Sequence, residues 1–208
     1  MKLTDLEVSG YLDILKSEAP APGGGSASAL SGAQGAALIA MVCGLTLGRE
    51  KYSEYHKTCS EAKEEAECLL DSFIAAVDAD TEAYNLVAAA YKMPKESDEQ
   101  KKERSAAIEE GTNKSTEVPL SVMKMAQEGL EIVSGLIGKT NPGAKSDLGV
   151  AVLNLHSCAR GAWLNVKINL PGIKDDVRAK QYCEIGIKYY HNIDKLVGEL
   201  YHGIEESI

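Results

Sequence analysis

An uncharged segment over residues 26–48 restricts the fold more than any other feature of this sequence. Its 23 residues include no Asp, Glu, Lys or Arg. Small residues recur along it at every fourth position: Gly32, Ala36, Ala40, Gly44 and Gly48. A helix with that series has one smooth side that another backbone or a ligand can approach closely. The length also fits a membrane span, but Gln34 and several serines favour a buried helix of a soluble protein.

Helical periodicity extends over most of the remaining chain. Residues 54–92 lack Pro and Gly and place small or apolar side chains at every third or fourth position, a series that Asp80 interrupts. Residues 146–170 and 175–206 have similar patterns, and no segment alternates with period two. We therefore expect one all-α domain over residues 1–208, an antiparallel bundle of about seven helices with long central helices.

The charged segment over residues 95–117 predicts a solvated loop and an exposed helix rather than part of the core. Val118-Pro119 follows it, and proline is well tolerated in the first turn of a helix, where its missing N–H costs nothing. The sequence therefore predicts that a separate helix begins there and ends near Gly138.

Charge and cysteine usage exclude several classes of partner. Lys and Arg total 22 against 31 Asp and Glu, a net charge of −9, which argues against binding to nucleic acid or to an anionic membrane. The five cysteines form no C-x-x-C pair and the four histidines lack metal-ligand spacing, so we predict no metal site and no disulfide framework. With no secretory signal at the N-terminus, a cytoplasmic location is expected.

The glycine-rich segment before the uncharged helix is the first candidate site. Gly23, Gly24 and Gly25 leave backbone N–H groups open, and Ser26 is a candidate N-cap. The N-terminus of a helix favours an anion or a polarised oxygen. A flexible hinge is the alternative interpretation.

Asp80 is the second candidate, because a carboxylate on an apolar helix face must find partners or stay protonated. Tyr84 lies one turn further along the same face. The alternative is that the apolar face rotates slightly and leaves Asp80 as a solvated surface acid.

Polar residues in two other segments form the third group. Asn165 and Asn169 would share one side of a helix and grip the polar edge of a ligand, unless they only cap its C-terminus. Asp147 is a ligand contact or a plain helix cap. Lys51 and Tyr52 follow the uncharged helix, where they would neutralise a carboxylated ligand or simply face solvent.

Several of these motifs together resemble the cyclodeaminase/cyclohydrolase family of folate one-carbon metabolism. The segments are Pro20-Ala21-Pro22-Gly23-Gly24-Gly25-Ser26, Leu45-Thr46-Leu47-Gly48 with Lys51-Tyr52, Asp80 to Tyr84 with AAAYKMPK, Val118-Pro119-Leu120, and NPGAKSDLGVA followed by GAWLNVKINLP. The resemblance implies an all-helical homodimer that binds a tetrahydrofolate derivative as substrate near the subunit interface, with no permanently bound cofactor.

The resemblance also implies an activity. With no room for a formiminotransferase domain, the chain is expected to be a methenyltetrahydrofolate cyclohydrolase, with formimidoyltetrahydrofolate cyclodeaminase and a non-catalytic helical scaffold dimer as alternatives. Asp80 would hold the amidinium cation of the substrate and help water to add, and Lys51 would take part in proton transfer. The substrate-binding residues would be Gly23, Gly24, Gly25, Ser26, Tyr52, Tyr84, Asp147, Asn165 and Asn169.

Overall fold

The computed structural model describes residues 2–208, and this part of the chain is all-helical, with no β-strand. Its α-helices are α1 (Val8–Leu15), α2 (Gly24–Leu47), α3 (His56–Tyr91), α4 (Asp98–Leu136), α5 (Lys145–Asn169) and α6 (Asp176–Glu205). Short 3₁₀ segments, among them Leu3–Asp5 and Glu50–Tyr55, occupy several of the connections. The all-α prediction is therefore confirmed, with six α-helices among the described residues where about seven were expected.

The difference in helix number arises in α4, which begins at Asp98 and continues to Leu136. The expected loop and exposed helix are present as residues 93–97 and the first turns of α4, but the prediction that a separate helix begins at Val118-Pro119 is wrong. A capping box starts α4: Gln100 N–H donates to Ser97 Oγ at 3.2 Å, and Ser97 N–H donates to Gln100 Oε1 at 3.1 Å. Pro119 lies buried inside the helix.

Pro119 is tolerated there because another helix supplies the hydrogen bond that proline cannot make. In an α-helix the carbonyl of residue 115 would accept from the N–H of residue 119, which proline lacks. Asn169 Nδ2 on α5 donates to Ser115 O at 2.7 Å instead. This long-range bond gives the carbonyl a partner in the partly buried environment between the helices.

The uncharged helix α2 packs between α3 and α5, and its glycines allow the close approach. A Cβ on Gly32 would lie 2.6 Å from Phe73 Cδ1 on α3 and 2.8 Å from Cys158 Sγ on α5. A Cβ on Gly35 would lie 2.8 Å from Leu155 Cγ. The predicted small-residue series does not continue this contact along its full length, since Gly44 has no neighbour within 4 Å of such a Cβ. Although α2 is long and apolar enough to cross a membrane, it contributes its buried face to this core.

The N-terminal segment is fastened to α3 just before Asp80. Leu3 N–H donates to Asp78 Oδ1 at 2.7 Å, and Thr4 Oγ1 donates to Asp78 Oδ2 at 3.3 Å. Tyr11 is the one fully buried side chain of α1. The first turns of the chain therefore cover the part of α3 that carries Asp80.

Candidate active site

Asp80 lies directly against the N-terminus of α2. Ser26 N–H donates to Asp80 Oδ2 at 2.9 Å, and Ser26 Oγ lies 3.3 Å from the same oxygen. Ser26 Oγ also donates to Val77 O at 2.7 Å and lies 3.2 Å from Thr81 Oγ1. Asp80, which interrupts the apolar series of α3, therefore meets the glycine-rich segment, although Ser26 and Asp80 are 54 residues apart in the chain.

Gly25 makes this contact possible because no other residue fits beside the carboxyl group. A Cβ on Gly25 would lie 2.6 Å from Asp80 Oδ2 and closer still to its Oδ1 and Cγ. Gly24, one residue earlier, has Asn165 Nδ2 at 3.7 Å from such a Cβ, and Gly23 has nothing within 4 Å. The hinge interpretation does not describe Gly24 and Gly25, since both belong to the first turn of α2.

Asp80 also supplies the cap that the start of α2 lacks. The N-cap residue, Gly23, has no side chain to accept a hydrogen bond, and Ser26 N–H is bound by Asp80 instead. The positive end of the helix dipole therefore faces an internal carboxyl group. The amide of Ser26 is already engaged, so the expectation that it contacts a ligand does not hold in this arrangement.

Burial controls the ionisation of Asp80. Removal from water raises the pKa of this carboxyl, while the two interactions with Ser26 act in the opposite direction without cancelling the effect. Its Oδ1 accepts no hydrogen bond from any of residues 2–208, and the side chain remains partly exposed. Asp80 thus combines an anchored oxygen with a free one, at a raised pKa suited to accepting a proton.

Asn165 and Asn169 reach the same end of the bundle from α5. Asn165 Nδ2 donates to Gly161 O at 2.9 Å and faces Gly24. Asn169, one turn later, donates to Ser115 O as described above. Each amide nitrogen therefore uses one of its two N–H groups on a backbone carbonyl, which leaves the other N–H and the carbonyl oxygen of each side chain available to a ligand.

Tyr84 is on the same helix as Asp80 but makes no polar contact with it. Its side chain is 42% exposed, and its hydroxyl makes no hydrogen bond within residues 2–208. Thr81, which the sequence analysis did not single out, is the neighbour of Asp80 that contacts Ser26.

Lys51, Tyr52 and Asp147 lie at the other end of the bundle. Because α2 has 24 residues, roughly 36 Å separates Gly24 from the segment that carries Lys51 and Tyr52. Lys51 Nζ lies 4.7 Å from the centre of the Tyr52 ring, and Tyr52 donates to Asn141 Oδ1 at 3.1 Å. Asp147 is in the first turn of α5 rather than at its N-cap, which is Ala144. Within one chain, therefore, these three residues do not join Asp80.

Tyr11 is a residue near Asp80 that the sequence analysis missed. Its side chain is only 6% exposed, and its hydroxyl has no hydrogen-bond partner among the described residues. Burial raises the pKa of this phenol, and the negative charge of Asp80 raises it further. One tyrosine in a short helix gives no sequence signal, because the effect depends on the folded position of α1.

A cavity of about 740 Å³ lies elsewhere, between α3 and α4. It is lined by many carboxylates, including Glu61, Glu64, Glu65, Glu128 and Glu131. These charges would repel an anionic ligand. In residues 2–208 no three His, Cys, Asp or Glu side chains are grouped so as to hold a metal ion. Asp80, with Ser26 and the first turn of α2, is therefore the arrangement best suited to acid–base chemistry.

Comparison with known proteins gives matches along nearly the whole chain. The family model described as formiminotransferase-cyclodeaminase matches residues 7–184. A methenyltetrahydrofolate cyclohydrolase from Methylorubrum extorquens is 37% identical over 97% of this chain and 95% of that protein. A formimidoyltransferase-cyclodeaminase from Mus musculus is 31% identical over 95% of this chain, which spans 35% of that longer protein. The crystal structure of formiminotetrahydrofolate cyclodeaminase from Thermotoga maritima has the same fold, with a TM-score of 0.88, 22% identity and 99% and 98% coverage.

Proposed function

Because this chain belongs to the formiminotransferase-cyclodeaminase family, as its motifs predicted, we propose that it is a methenyltetrahydrofolate cyclohydrolase. It would convert 5,10-methenyltetrahydrofolate to 10-formyltetrahydrofolate. The observation that carries the proposal is the partly buried carboxyl of Asp80, anchored by Ser26 with one oxygen free. The Methylorubrum extorquens relative, which this chain matches over almost its full length, bears the name of that activity.

The proposed substrate is a delocalised cation, and the ionised carboxylate of Asp80 has the opposite, negative charge. A carboxylate in a partly desolvated site interacts with a cation more strongly than one in water does. As water adds to the one-carbon centre, one proton passes to Asp80 and a C–O bond forms. That proton returns to N5 when the C–N5 bond breaks, and the remaining hydroxyl proton leaves as the formyl C=O forms. The raised pKa of Asp80 makes it the better proton acceptor in the first step.

The other residues near Asp80 would hold the folate. In this proposal the exposed Tyr84 contacts the substrate or the attacking water, and the first turn of α2, from Gly23 to Ser26, forms one wall of the site. Asn165 and Asn169 hold the polar edge of the pterin through their carbonyl oxygens, which accept, and through the second N–H of each amide, since only one N–H of each is engaged by a backbone carbonyl. The reaction adds water without redox change, so the proposal includes no permanently bound cofactor.

We propose further that the active enzyme is a homodimer. Exposed apolar side chains follow the outer sides of α2 and α5, namely Met41, Leu45, Val150 and Leu153. Burial of this face in a two-fold contact would remove the apolar surface from water. An antiparallel pairing of α2 with its copy would also place the C-terminal end of one α2 beside the N-terminal end of the other.

That pairing would complete the site. Lys51 and Tyr52, roughly 36 Å from Gly24 in their own chain, and Asp147, at the start of α5, would approach the partner subunit's Asp80. Lys51 is exposed and its ammonium group has no carboxylate partner within 4 Å in residues 2–208. In the proposed dimer it takes part in the release of the second proton. The five free thiols are compatible with the cytoplasmic location that we propose.

An assay with two substrates tests the activity. Purified protein should remove the absorbance of 5,10-methenyltetrahydrofolate faster than the uncatalysed reaction in matched buffer. Ammonia release from 5-formimidoyltetrahydrofolate measures the cyclodeaminase alternative, which the names of the Mus musculus and Thermotoga maritima proteins favour. Ammonia release alone would replace the proposal by that alternative. Turnover of neither substrate would favour the scaffold dimer.

A further inference from the structure

The hydroxyl of Tyr11 is a buried polar group that makes no hydrogen bond within residues 2–208 of the free protein. Its oxygen is inaccessible to water and has no hydrogen-bond partner among residues 2–208. Phenylalanine would fill the same space without an unpaired hydroxyl, and such unpaired groups destabilise a fold. Native proteins leave few of them, so this one calls for an explanation.

The position of Tyr11 connects its hydroxyl with Asp80. The bonds from Leu3 and Thr4 to Asp78 fix the N-terminal segment on α3, two residues before Asp80. Tyr11 then enters the core as the buried side chain of α1. The charge of Asp80 raises the pKa of the phenol, so the two groups are within electrostatic reach. Ser26 meets one oxygen of Asp80 from α2, and the other oxygen, Oδ1, has no donor among the described residues.

We propose that Tyr11 is a positioning residue of the hydrolysis. When the folate fills the site, the Tyr11 hydroxyl donates a hydrogen bond to Asp80 Oδ1 and orients the carboxylate toward the attacking water. The inference rests on the proposed function. It assigns a donor to each oxygen of Asp80, Ser26 to Oδ2 and Tyr11 to Oδ1. A carboxylate held from two sides has a defined orientation toward the one-carbon centre.

Within one chain few other ionisable groups act on Asp80, and in the proposed dimer Lys51, Tyr52 and Asp147 of the second copy would join them. The helix α2 contributes no charged side chain, since residues 24–47 contain none. On α3, Asp78 is occupied by Leu3 and Thr4, and Tyr84 lies one turn away. On α4, Glu117 is bound by Tyr182 at 2.7 Å. On α5, Asn165 and Asn169 are uncharged, and Lys167 lies 5.8 Å from the centre of the Trp163 ring. A change at Tyr11 should therefore be visible in the titration of Asp80.

The substitution Tyr11→Phe tests the proposal because it removes only the hydroxyl. A donor stabilises the charged carboxylate, so its loss raises the pKa of Asp80 in the substrate complex. We expect kcat to fall by roughly 10-fold and the acidic limb of the kcat profile to move to higher pH. The acidic limb of kcat/KM, which reports the free enzyme, should not move. The melting temperature should stay the same or rise.

Tyr201→Phe is the matched control, since the hydroxyl of Tyr201 contacts only Glu205 on its own helix, at 3.4 Å. It should leave both pH profiles unchanged. Replacement of Tyr11 by 3,5-difluorotyrosine, a stronger donor of nearly the same shape, should move the acidic limb of kcat to lower pH. This second variant keeps the test independent of any folding defect in Tyr11→Phe.

The outcomes separate this inference from the proposed function. An active parent enzyme whose kcat profile is unchanged both by Tyr11→Phe and by the difluorotyrosine replacement would overturn the inference and leave the function standing. A lower melting temperature with unchanged kcat would show that Tyr11 acts only in packing. A parent protein that hydrolyses no methenyltetrahydrofolate would refute the proposed function, and the inference with it.

Discussion

Gly25→Ala should abolish catalysis while leaving the fold in place. The added methyl group would lie 2.6 Å from Asp80 Oδ2 and closer to Oδ1 and Cγ. These distances are shorter than any van der Waals contact, so the carboxyl group must rotate away. The rotation breaks the bond from Ser26 N–H and aims the free oxygen elsewhere.

We expect Gly25→Ala to change stability moderately and catalytic activity strongly. Loss of a hydrogen bond to a carboxylate costs about 1.5–3 kcal/mol, while alanine in place of helical glycine recovers up to about 1 kcal/mol. The net loss of stability is therefore about 0.5–3 kcal/mol, a decrease in melting temperature of roughly 1–10 °C for a chain of this size. A misplaced general acid–base group lowers kcat by at least about 10²-fold.

Gly198→Ala is the matched control for this experiment. Gly198 is an exposed residue of α6 with no atom within 4 Å of an added Cβ. Its replacement should raise stability by up to about 1 kcal/mol and leave kcat unchanged. Thermal unfolding and the decay of methenyl absorbance are measured for both variants. Full activity in Gly25→Ala would refute the argument that the position of Asp80 controls the reaction.

Three further predictions concern the charge of Asp80, the hydrogen bond from Asn169 to α4 and the proposed dimer contact. Burial raises the pKa of Asp80 in the folded protein. As the pH rises from the pKa of the unfolded state toward that of the folded state, ionisation of Asp80 therefore destabilises the fold increasingly. At neutral pH the Asp80→Asn variant should melt at a higher temperature than the parent, yet its kcat should be at least about 10²-fold lower. Asn169→Ala should cost about 1 kcal/mol by leaving Ser115 O unpaired, but less in a Pro119→Ala background, where residue 119 regains its N–H. If the proposed dimer forms through this face, Met41→Glu should shift the protein to monomers in size-exclusion chromatography and lower turnover with it.

Each of these predictions has a contradicting result. An Asp80→Asn variant as active as the parent would remove the carboxylate from the mechanism. Equal costs of Asn169→Ala in both backgrounds in chemical denaturation would show that its bond does not compensate for Pro119. An active Met41→Glu monomer would refute the proposal that residues of two chains build the site, and a parent protein that is already monomeric would do the same.

The helices could be predicted from local patterns because helix formation depends on neighbours three and four residues apart. The uncharged segment identified α2, and the break in the apolar series of α3 identified Asp80 as unusual. The continuation of α4 through Pro119 was not predictable in this way. It depends on Asn169, 54 residues from its partner Ser115, and a local rule about proline has no access to that bond.

The sequence by itself determined the all-α class, the central uncharged helix and the acid in an apolar face, since each follows from residue type and spacing. Only the tertiary structure decided which polar groups meet. It joined Asp80 to Gly25 and Ser26 and left the Tyr11 hydroxyl unpaired within the described residues. It also placed Lys51 and Asp147 at the opposite end of the bundle. Periodicity reports which side of a helix faces inward, whereas contacts between the ends of helices depend on how whole helices pack.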